Sequence, residues 1–382
     1  MQLQNFDVVV IGGGLAGSVC ASRLATQGMR VALVERSAFE RTRVGEVITI
    51  QALHGISKSL RLSPTACENL IYRYASFLVS WGDSATSDSG AEPSHCVVDR
   101  TALDLLLFQH ASECGVTTWH SAKLSKVVRR QDHWSFSLVS LQGDVDATAK
   151  LAIEATGRTA CSAFSAARGR IFQDTTVACS LRFESPAPLN NRGLSRIIIE
   201  SAPHGWWYSC QLSATETLVA FFTDRVLLPR NCNARSSWLL DQMRSTRLLS
   251  CYTGAIMNQR SPWLRSDARM SIRRQCSGAG WLAIGDAQMA LDPLSGQGMQ
   301  QAERSALESV PFIEQELEGA AFQHQAFAHS IASRYNAQLE QRSWTYDAET
   351  KWPNSHFWMR RHGRQIRMPI TEDAFANTTM GN

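Results

Sequence analysis

The stretch DVVVIGGGLAGSVCASRLATQGMRVALVE, residues 7–35, decides the fold of this chain. Its β-branched opening, Asp7 to Ile11, is typical of a buried parallel strand. A helix is predicted from Ser18 to Gln27, Gly28 ends it, and Arg30 to Glu35 follows as a second strand. Strand, helix and strand within about 30 residues predict a βαβ unit with an acid closing its second strand.

The turn between the first strand and the helix has the pattern GxGxxG, and each glycine has its own task. Gly12 permits the tight turn, Gly14 lets the main chain approach a pyrophosphate, and Gly17 lets helix and strand pack closely. The free amides and partial positive charge of the helix start attract phosphate. Glu35 is placed to accept hydrogen bonds from a ribose. The pattern predicts a dinucleotide site, but its spacing does not separate NAD from FAD.

Length and composition bound the remaining possibilities. A chain of 382 residues favours two intimately joined domains. Hydrophobic and charged shares of 44% and 19% exclude a disordered, collagen-like or coiled-coil protein. With 38 basic against 34 acidic residues and no dominant basic run, no nucleic-acid partner is expected.

Targeting and metal signals are missing from the sequence pattern. No apolar run reaches the roughly 20 residues of a transmembrane segment, and no secretory signal opens the chain, so we expect a cytoplasmic protein. The ten cysteines have no metal-type spacing, so no metal site is predicted. Most cysteines should be small buried hydrophobes.

A second phosphate-type signal lies far downstream. Trp281 to Ile284 is a predicted strand that ends at Gly285-Asp286-Ala287, and the segment 292–298 leads into a helix predicted from Met299 to Gln315. A carboxylate at such a strand end can hold a sugar hydroxyl, and Gly296 and Gly298 expose amides to an electron-rich ring. Two anion-receptive helix starts in one chain fit an extended dinucleotide.

Together these motifs resemble the FAD-binding fold shared by p-hydroxybenzoate hydroxylase-type monooxygenases, flavin-dependent halogenases and geranylgeranyl reductases. The resemblance spans residues 5–310. It implies an α/β (α+β overall) fold, with a Rossmann-like FAD-binding domain of discontinuous segments, an inserted antiparallel-sheet substrate domain and a helical C-terminal tail. The implied FAD-binding segments are 1–50, 96–170 and 276–325, the substrate segments are 51–95 and 171–275, and the tail is 326–382.

The resemblance also implies which residues contact FAD. They come from the glycine fingerprint with its acid, an arginine at a helix mouth, an Ala-Thr-Gly turn and the downstream flavin loop. These residues are Gly12, Gly14, Leu15, Ala16, Gly17, Glu35, Arg36, Arg43, Arg100, Ala155, Gly157, Gly285, Asp286, Pro293, Gly296, Gln297, Gly298 and Met299.

The segment 41–46 resembles the Val-Gly-Glu segment of the halogenase-like branch, which places Arg43 or Glu46 near the isoalloxazine. Two departures count against halogenation. Residues 47–50 replace the Ala-Thr-x-Pro continuation of tryptophan halogenases, and no lysine lies between Lys58 and Lys123 to direct hypohalous acid. The remaining pattern resembles flavoproteins that mature cysteine tryptophylquinone enzymes, such as lysine and glycine oxidases, by oxygenating a Trp of the precursor protein.

Four strand-like segments between residues 171 and 227 are expected to form an antiparallel sheet beside the flavin. One of them contains Trp206-Trp207-Tyr208 after His204, and it resembles the Trp-containing strand of the halogenase and reductase branches. Successive strand residues point to opposite faces, so at most one side of the aromatic trio can face a ligand. Packing of all three residues in the core is the alternative.

These observations predict an FAD-dependent monooxygenase that uses reduced flavin and O2 to hydroxylate an electron-rich aromatic group, with a Trp of a partner protein as a candidate. No second glycine fingerprint follows a strand, so an external reductant, NAD(P)H or reduced flavin, must dock transiently. Glu46 and His204 are catalytic candidates by position, and Pro293 is a candidate for the pocket wall. The alternatives are a halogenase or isoprenoid reductase of the same fold, and a non-catalytic redox-sensing flavoprotein.

The C-terminal stretch mixes aromatic and cationic side chains. This composition is enriched in interface cores, so the stretch is a candidate docking surface for a protein substrate. Packing over the FAD domain and a membrane-surface role are the alternatives. The residues concerned are Trp344, Trp352, Phe357, Trp358, Arg360, Arg361, Arg364 and Arg367.

Overall fold

A computed structural model of the protein describes residues 4–40, 45–82, 87–88, 94–140, 143–159, 169–184, 194–258, 262–319 and 324–362. The helices are α1 (Leu15–Thr26), α2 (Ile50–Leu60), α3 (Pro64–Glu68), α4 (Arg100–Glu113), α5 (Cys232–Arg244), α6 (Thr253–Met257), α7 (Gly298–Leu317), α8 (His324–Asp347) and α9 (His356–Met359). Within those ranges, no helix is both long and apolar enough to cross a membrane. The cytoplasmic location stays a prediction.

An eight-stranded sheet contains the predicted βαβ unit. Its strands are β1 (Gln4–Ile11), β2 (Val31–Val34), β7 (Thr117–Trp119), β8 (Ala122–Arg129), β9 (Trp134–Ser140), β10 (Val145–Glu154), β18 (Ser277–Gly278) and β19 (Trp281–Ala283). Neighbours in the order β19-β10-β1-β2-β7 run parallel, and β10 and β19 lie on the other side of β1 from β2 and β7, as in a Rossmann-type sheet. α1, α4 and α7 share one apolar core with the face of β1 that carries Val8 and Val10. The Rossmann-like α/β fold predicted from the glycine turn is confirmed.

A nine-stranded sheet forms the second unit. Its strands are β3 (Val47–Thr49), β4 (Ile71–Ser80), β5 (Ser87–Asp88), β6 (His95–Val98), β12 (Thr176–Glu184), β13 (Ser195–Ala202), β14 (Gly205–Gln211), β15 (Glu216–Asp224) and β16 (Leu264–Asp267). The four segments predicted between residues 171 and 227 are the adjacent antiparallel strands β12, β15, β14 and β13. β13 also pairs with β4, and that pair is parallel.

A small three-stranded sheet is formed by three short strands that are far apart in the chain. It consists of β11 (Arg170–Phe172), β17 (Ser271–Arg273) and β20 (Met289–Ala290), paired antiparallel in the order β11-β17-β20. β20 directly precedes the predicted flavin loop, so this sheet fixes the start of that loop.

Near residues 50 and 96, elements on one side of a predicted domain boundary pack in the unit predicted for the other side. β3 and β6 pair with each other in the nine-stranded sheet, although the sequence prediction places 47–49 and 96–98 in FAD segments. Leu53 and Ile56 of α2 pack in the core that holds α1 and α7. The reason is that β3 directly precedes α2, so the chain leaves one unit and enters the other within a few residues. The domain division as a whole stays a prediction.

The C-terminal stretch packs on both units. Phe327, Ile331 and Tyr335 of α8 join the core of the dinucleotide unit. Beyond them, a cluster that contains Phe357 and Trp358 covers the nine-stranded sheet. Trp344, in contrast, is 80% exposed. Arg364 and Arg367 lie outside the described residues.

Candidate active site

The carboxyl ends of four parallel strands meet at one edge of the eight-stranded sheet. The Ala155 N–H donates to the Ile11 carbonyl at 2.8 Å, and the Ile284 N–H donates to the Glu154 carbonyl at 2.9 Å. The Gly12 N–H donates to the Val34 carbonyl at 2.8 Å. These bonds align the glycine turn, the Ala-Thr-Gly turn and the Gly-Asp turn side by side, where open α/β sheets bind their ligands.

Close backbone approaches explain the glycines of this edge. Gly12 has a φ of +113°, and a Cβ there would overlap the Ala155 carbonyl. A Cβ at Gly17 would overlap the Gly12 carbonyl. A Cβ at Gly285 would lie 2.9 Å from the Ala16 Cβ, so the Gly285 turn sits directly against the first turn of α1.

Two helix starts at this edge are left without side-chain caps. Thr49, Asp99 and Asn231 cap α2, α4 and α5 through their side chains. α1, after Gly14, and α7, after Gln297, receive no such bond. Their amides and dipoles are therefore free for an anionic or electron-rich ligand, which fits the two ends of an extended dinucleotide.

Glu35 lies at the end of β2 and is buried. Its Oε2 accepts a hydrogen bond of 2.8 Å from the Gly13 N–H, and its Oε1 accepts from the Ser37 N–H and hydroxyl at 2.8 and 2.7 Å. These bonds hold the carboxylate against the glycine turn, where a ribose bound at that turn could reach it.

Arginines that the sequence analysis did not select support the Gly-Asp turn. Arg158 donates to the Arg269 and Leu291 carbonyls at 2.7 and 2.9 Å, and its Nε lies 3.3 Å from Asp286 Oδ2. Arg170 donates to the Asp286 and Ala287 carbonyls at 2.8 and 2.9 Å. The position of Arg158, directly after the Ala-Thr-Gly turn, is the signal that would have found it.

Glu46 is a buried carboxylate between the two units. Its oxygens accept hydrogen bonds from the Gly45 N–H at 2.9 Å and from Arg182 Nη2 at 3.1 Å. Arg100 donates to the Gly45 carbonyl at 3.3 Å and so holds the same segment from α4. Burial raises the pKa of the Glu46 carboxyl, and it outweighs the Gly45 amide and the Arg182 and Arg100 charges, which act in the opposite direction.

The wall behind Glu46 is the face of the nine-stranded sheet that carries Tyr208 and Cys210. Burial, followed by the charge of Cys210 and then that of Glu46, raises the pKa of the Tyr208 phenol well above its ordinary value. Burial, with Glu46 adding to it, also raises the pKa of the Cys210 thiol. Both groups are therefore neutral near pH 7, and Glu46 is the titratable group of this wall.

The flavin loop, residues 292–298, is tied to the C-terminal helix. Asp292 Oδ2 accepts hydrogen bonds from Arg342 Nε at 2.7 Å and from the Tyr346 hydroxyl at 3.2 Å. Pro293 begins a short 3₁₀ turn, and Gly296 follows it with a φ of +63°. Gln338 Nε2 donates to Gln297 Oε1 at 2.9 Å. Hydrogen bonds from α8 therefore hold the conformation of the loop between Asp292 and the start of α7.

Comparison with known proteins agrees with this geometry. Residues 7–181 match the family of FAD dependent oxidoreductases. The putative FAD-dependent oxidoreductase LodB of Marinomonas mediterranea is 27% identical over 375 residues, which cover 94% of this chain and 98% of LodB.

The chain is an FAD-dependent oxidoreductase.

Two solved structures show the same fold as this FAD-dependent oxidoreductase. The myxobacterial chondrochloren halogenase CndH has a TM-score of 0.83 at 23% identity, over 95% of this chain and 87% of that one. QhpG, described as a peptidyl tryptophan dihydroxylase essential for tryptophylquinone cofactor biogenesis, has a TM-score of 0.76 at 22% identity, over 94% and 78%. The flavoenzyme thus has the fold of flavin-dependent halogenases, and FAD is its cofactor.

The remaining residues predicted to contact FAD differ in their burial in the flavoenzyme. Leu15 and Ala16 are buried in the first turn of α1, and Met299 is buried in that of α7. Arg36 is exposed directly after Glu35. Arg43 lies outside the described residues. All of these contacts stay predictions.

His204 is not brought to Glu46. It lies in the turn between β13 and β14, and its ring stacks on Trp238 of α5 at a centroid distance of 6.1 Å. Cys210, on the wall beside Glu46, is six residues further along, which corresponds to roughly 20 Å of extended strand. Burial lowers the pKa of the imidazole, which is therefore neutral near pH 7. A catalytic role for His204 stays a prediction.

The aromatic trio divides between the two faces of its strand, as the alternation of a strand requires. Trp206 packs in the cluster of Phe222 and Tyr346, which Leu294 of the flavin loop also contacts. Trp207 packs on the opposite face with Ile198. Trp206 and Tyr208 therefore belong to the side of the flavin loop, and Trp207 belongs to the core behind the sheet.

Proposed function

We propose that this flavoenzyme is a monooxygenase that hydroxylates an electron-rich aromatic group, namely a Trp side chain of a partner protein during quinone cofactor biogenesis. The observation that carries the proposal is the likeness along nearly the whole chain to a peptidyl tryptophan dihydroxylase of tryptophylquinone biogenesis. The absence of lysine from residues 59–122 supports it, because the lysine with which halogenases direct hypohalous acid has no equivalent there.

The protein's first contribution is to hold the cofactor. Bound FAD, once reduced by a transiently docked NAD(P)H or reduced flavin, supplies the electrons that activate dioxygen for oxygen transfer. The glycine turn with Glu35 would hold its ADP half, and Asp286 would hold its ribityl chain. The uncapped start of α7 would place main-chain amides against the pyrimidine side of the ring, where they stabilise negative charge.

Glu46 is the group that we assign to proton transfer. Hydroxylation of an aromatic carbon requires that the proton on that carbon leaves when aromaticity returns. A buried carboxylate with a raised pKa is a suitable proton acceptor, because its pKa lies nearer to neutral pH than the pKa of an exposed glutamate. Arg182 orients the accepting carboxylate, and the neutral Tyr208 and Trp206 exclude water from the same wall.

Halogenation is the second candidate, and the fold match to the chondrochloren halogenase favours it. The decisive experiment is intact-mass analysis of candidate partner proteins after aerobic turnover with reductant, in the presence of chloride and bromide. Oxygen gained from isotopically labelled dioxygen supports hydroxylation. A gain of halogen identifies a halogenase, a gain of two hydrogens identifies a reductase, and an unchanged mass with every partner contradicts the proposal.

A further inference from the structure

A cleft of about 210 Å³ lies on the opposite face of the nine-stranded sheet from Glu46. Its apolar wall is formed by Leu78, Ile198 and Tyr252. Ile198 shares a core with Trp207. Tyr208 follows Trp207 in the strand, so it points to the opposite face, where it faces Glu46. The sheet therefore separates this cleft from the flavin side, and a molecule bound in the cleft cannot be the group that reacts there.

Two arginines line the cleft without neutralising partners. The guanidinium groups of Arg196 and Arg247 make no hydrogen bond or ion pair with the part of the chain that the structure describes. The nearby carboxylate of Glu200 is buried, and it accepts from the Arg247 and Leu248 main-chain N–H groups at 2.6 and 3.0 Å. Glu200 thus fixes the loop, and the two side-chain cations stay available to an anionic ligand.

Gln211 adds an unsatisfied acceptor to the same cleft. The residue is 3% exposed, and its Oε1 has no hydrogen-bond partner among the residues placed by the structure. A buried acceptor without a donor is costly, and an N–H group of a ligand would satisfy it. Two guanidinium groups beside one amide acceptor suit a molecule that carries both carboxylates and N–H groups.

We propose that this cleft docks an acidic peptide segment of the partner protein. Arg196 and Arg247 pair with its carboxylates, Gln211 Oε1 accepts a peptide N–H, and the apolar wall covers the intervening methylene groups. The segment binds remotely from the Trp that reacts, so docking adds specificity without occupying the flavin side. The proposal rests on the proposed function for the nature of the partner.

The test measures binding to the oxidised holoenzyme by fluorescence anisotropy of fluorescein-labelled hexaglutamate. We expect Arg196→Gln and Arg247→Gln each to weaken binding roughly tenfold, as loss of a charge-assisted hydrogen bond does. Arg230→Gln, at an exposed arginine outside the cleft, is the matched control and should bind like the parent. Binding should also weaken with added salt.

Cysteine alkylation supplies a readout of position. Cys251 lines the cleft, and Cys232 is exposed elsewhere. Bound hexaglutamate should slow iodoacetamide modification of Cys251 and leave the rate at Cys232 unchanged. Unaltered peptide affinity in the Arg196→Gln/Arg247→Gln double variant, or equal alkylation of Cys251 with and without peptide, would overturn the proposal. Equal affinity for hexaglutamine or for free glutamate would overturn it as well.

The two proposals fail separately. Peptide binding is measured without reductant or turnover, so a partner that gains no oxygen does not affect it. A partner that is hydroxylated equally well by the double variant would leave the proposed reaction intact and remove the docking site.

Discussion

Arg342 of α8 donates a hydrogen bond of 2.7 Å from its Nε to Asp292 Oδ2, and its Nη2 lies 3.1 Å from Asp174 Oδ2. Asp292 begins the flavin loop, and Asp174 lies two residues before the start of β12 in the nine-stranded sheet. One guanidinium therefore joins the C-terminal helix to both units. Burial alone would lower the pKa of this arginine, but the charges of Asp292, Tyr346 and Asp174 raise it, so it stays charged.

Arg342→Gln should loosen this junction. It leaves two carboxylates, 4% and 7% exposed, without their cation, so we expect a loss of about 3–5 kcal/mol in the free energy of unfolding. FAD affinity should fall with it, because the flavin loop loses its outer support. Urea unfolding and fluorescence titration with FAD measure the two effects. Arg244→Gln, which removes an exposed ion pair with Asp241, should change stability by no more than about 1 kcal/mol.

Gly12→Ala should abolish retention of FAD. Its Cβ would overlap the Ala155 carbonyl in a left-handed backbone conformation, so we expect a cost of at least about 2 kcal/mol at the glycine turn. The ratio of flavin to protein absorbance after purification measures the loss. Gly28→Ala also adds a Cβ at positive φ, at +87°, but in open space. It should cost about 1 kcal/mol and leave FAD bound; equal flavin content in both variants would contradict this account.

Glu303→Gln should remove a pH dependence of stability. Glu303 lies in α7, is 8% exposed, and faces α2, where a Cβ at Gly55 would be 2.9 Å from its Oε1. Burial raises the pKa of its carboxyl from 4.5 to about 7. The folded state therefore keeps a proton that the unfolded state releases above pH 4.5. The stabilisation is complete below that pH and is lost as the pH rises through 7.

Unfolding curves across this pH range test the assignment. Relative to Glu303→Gln, the parent protein should lose about 1–3 kcal/mol between the two ends of the range. Glu318→Gln, at an exposed glutamate directly after the same helix, should follow the parent curve. Parallel curves for the parent and Glu303→Gln would show that this carboxyl titrates normally.

Glu46→Gln should separate chemistry from cofactor binding. If Glu46 accepts the proton of the hydroxylated carbon, turnover should fall roughly 10²-fold or more, and FAD affinity should change little. Rates of mass gain in the partner protein and FAD titration measure the two quantities. Glu216→Gln removes the other carboxylate beside Arg182, 3.7 Å from Nη1, and should leave turnover nearly unchanged. Equal losses in both variants would assign the effect to Arg182 and not to Glu46.

The sequence by itself determined the dinucleotide-binding half of this protein. The turn at Gly12 and the strands and helix around it follow from hydrophobic periodicity and from glycine's backbone freedom, which are properties of neighbouring residues. The Gly285 turn and the strands between residues 171 and 227 were predictable for the same reason. These elements belong to a fold that depends on the order of strands and helices along the chain.

Only the tertiary structure decided how those elements are held and what faces the flavin side. The partners Arg342 and Asp292 are 50 positions apart, and Glu46 and Arg182 are 136 apart. No local pattern marks such a pair, because a polar residue on a helix or strand has the same spacing whether it meets water or a buried carboxylate. The strand pairing of two sheets and the packing of α8 bring these charges together, and burial then raises the pKa of the Glu46 carboxyl.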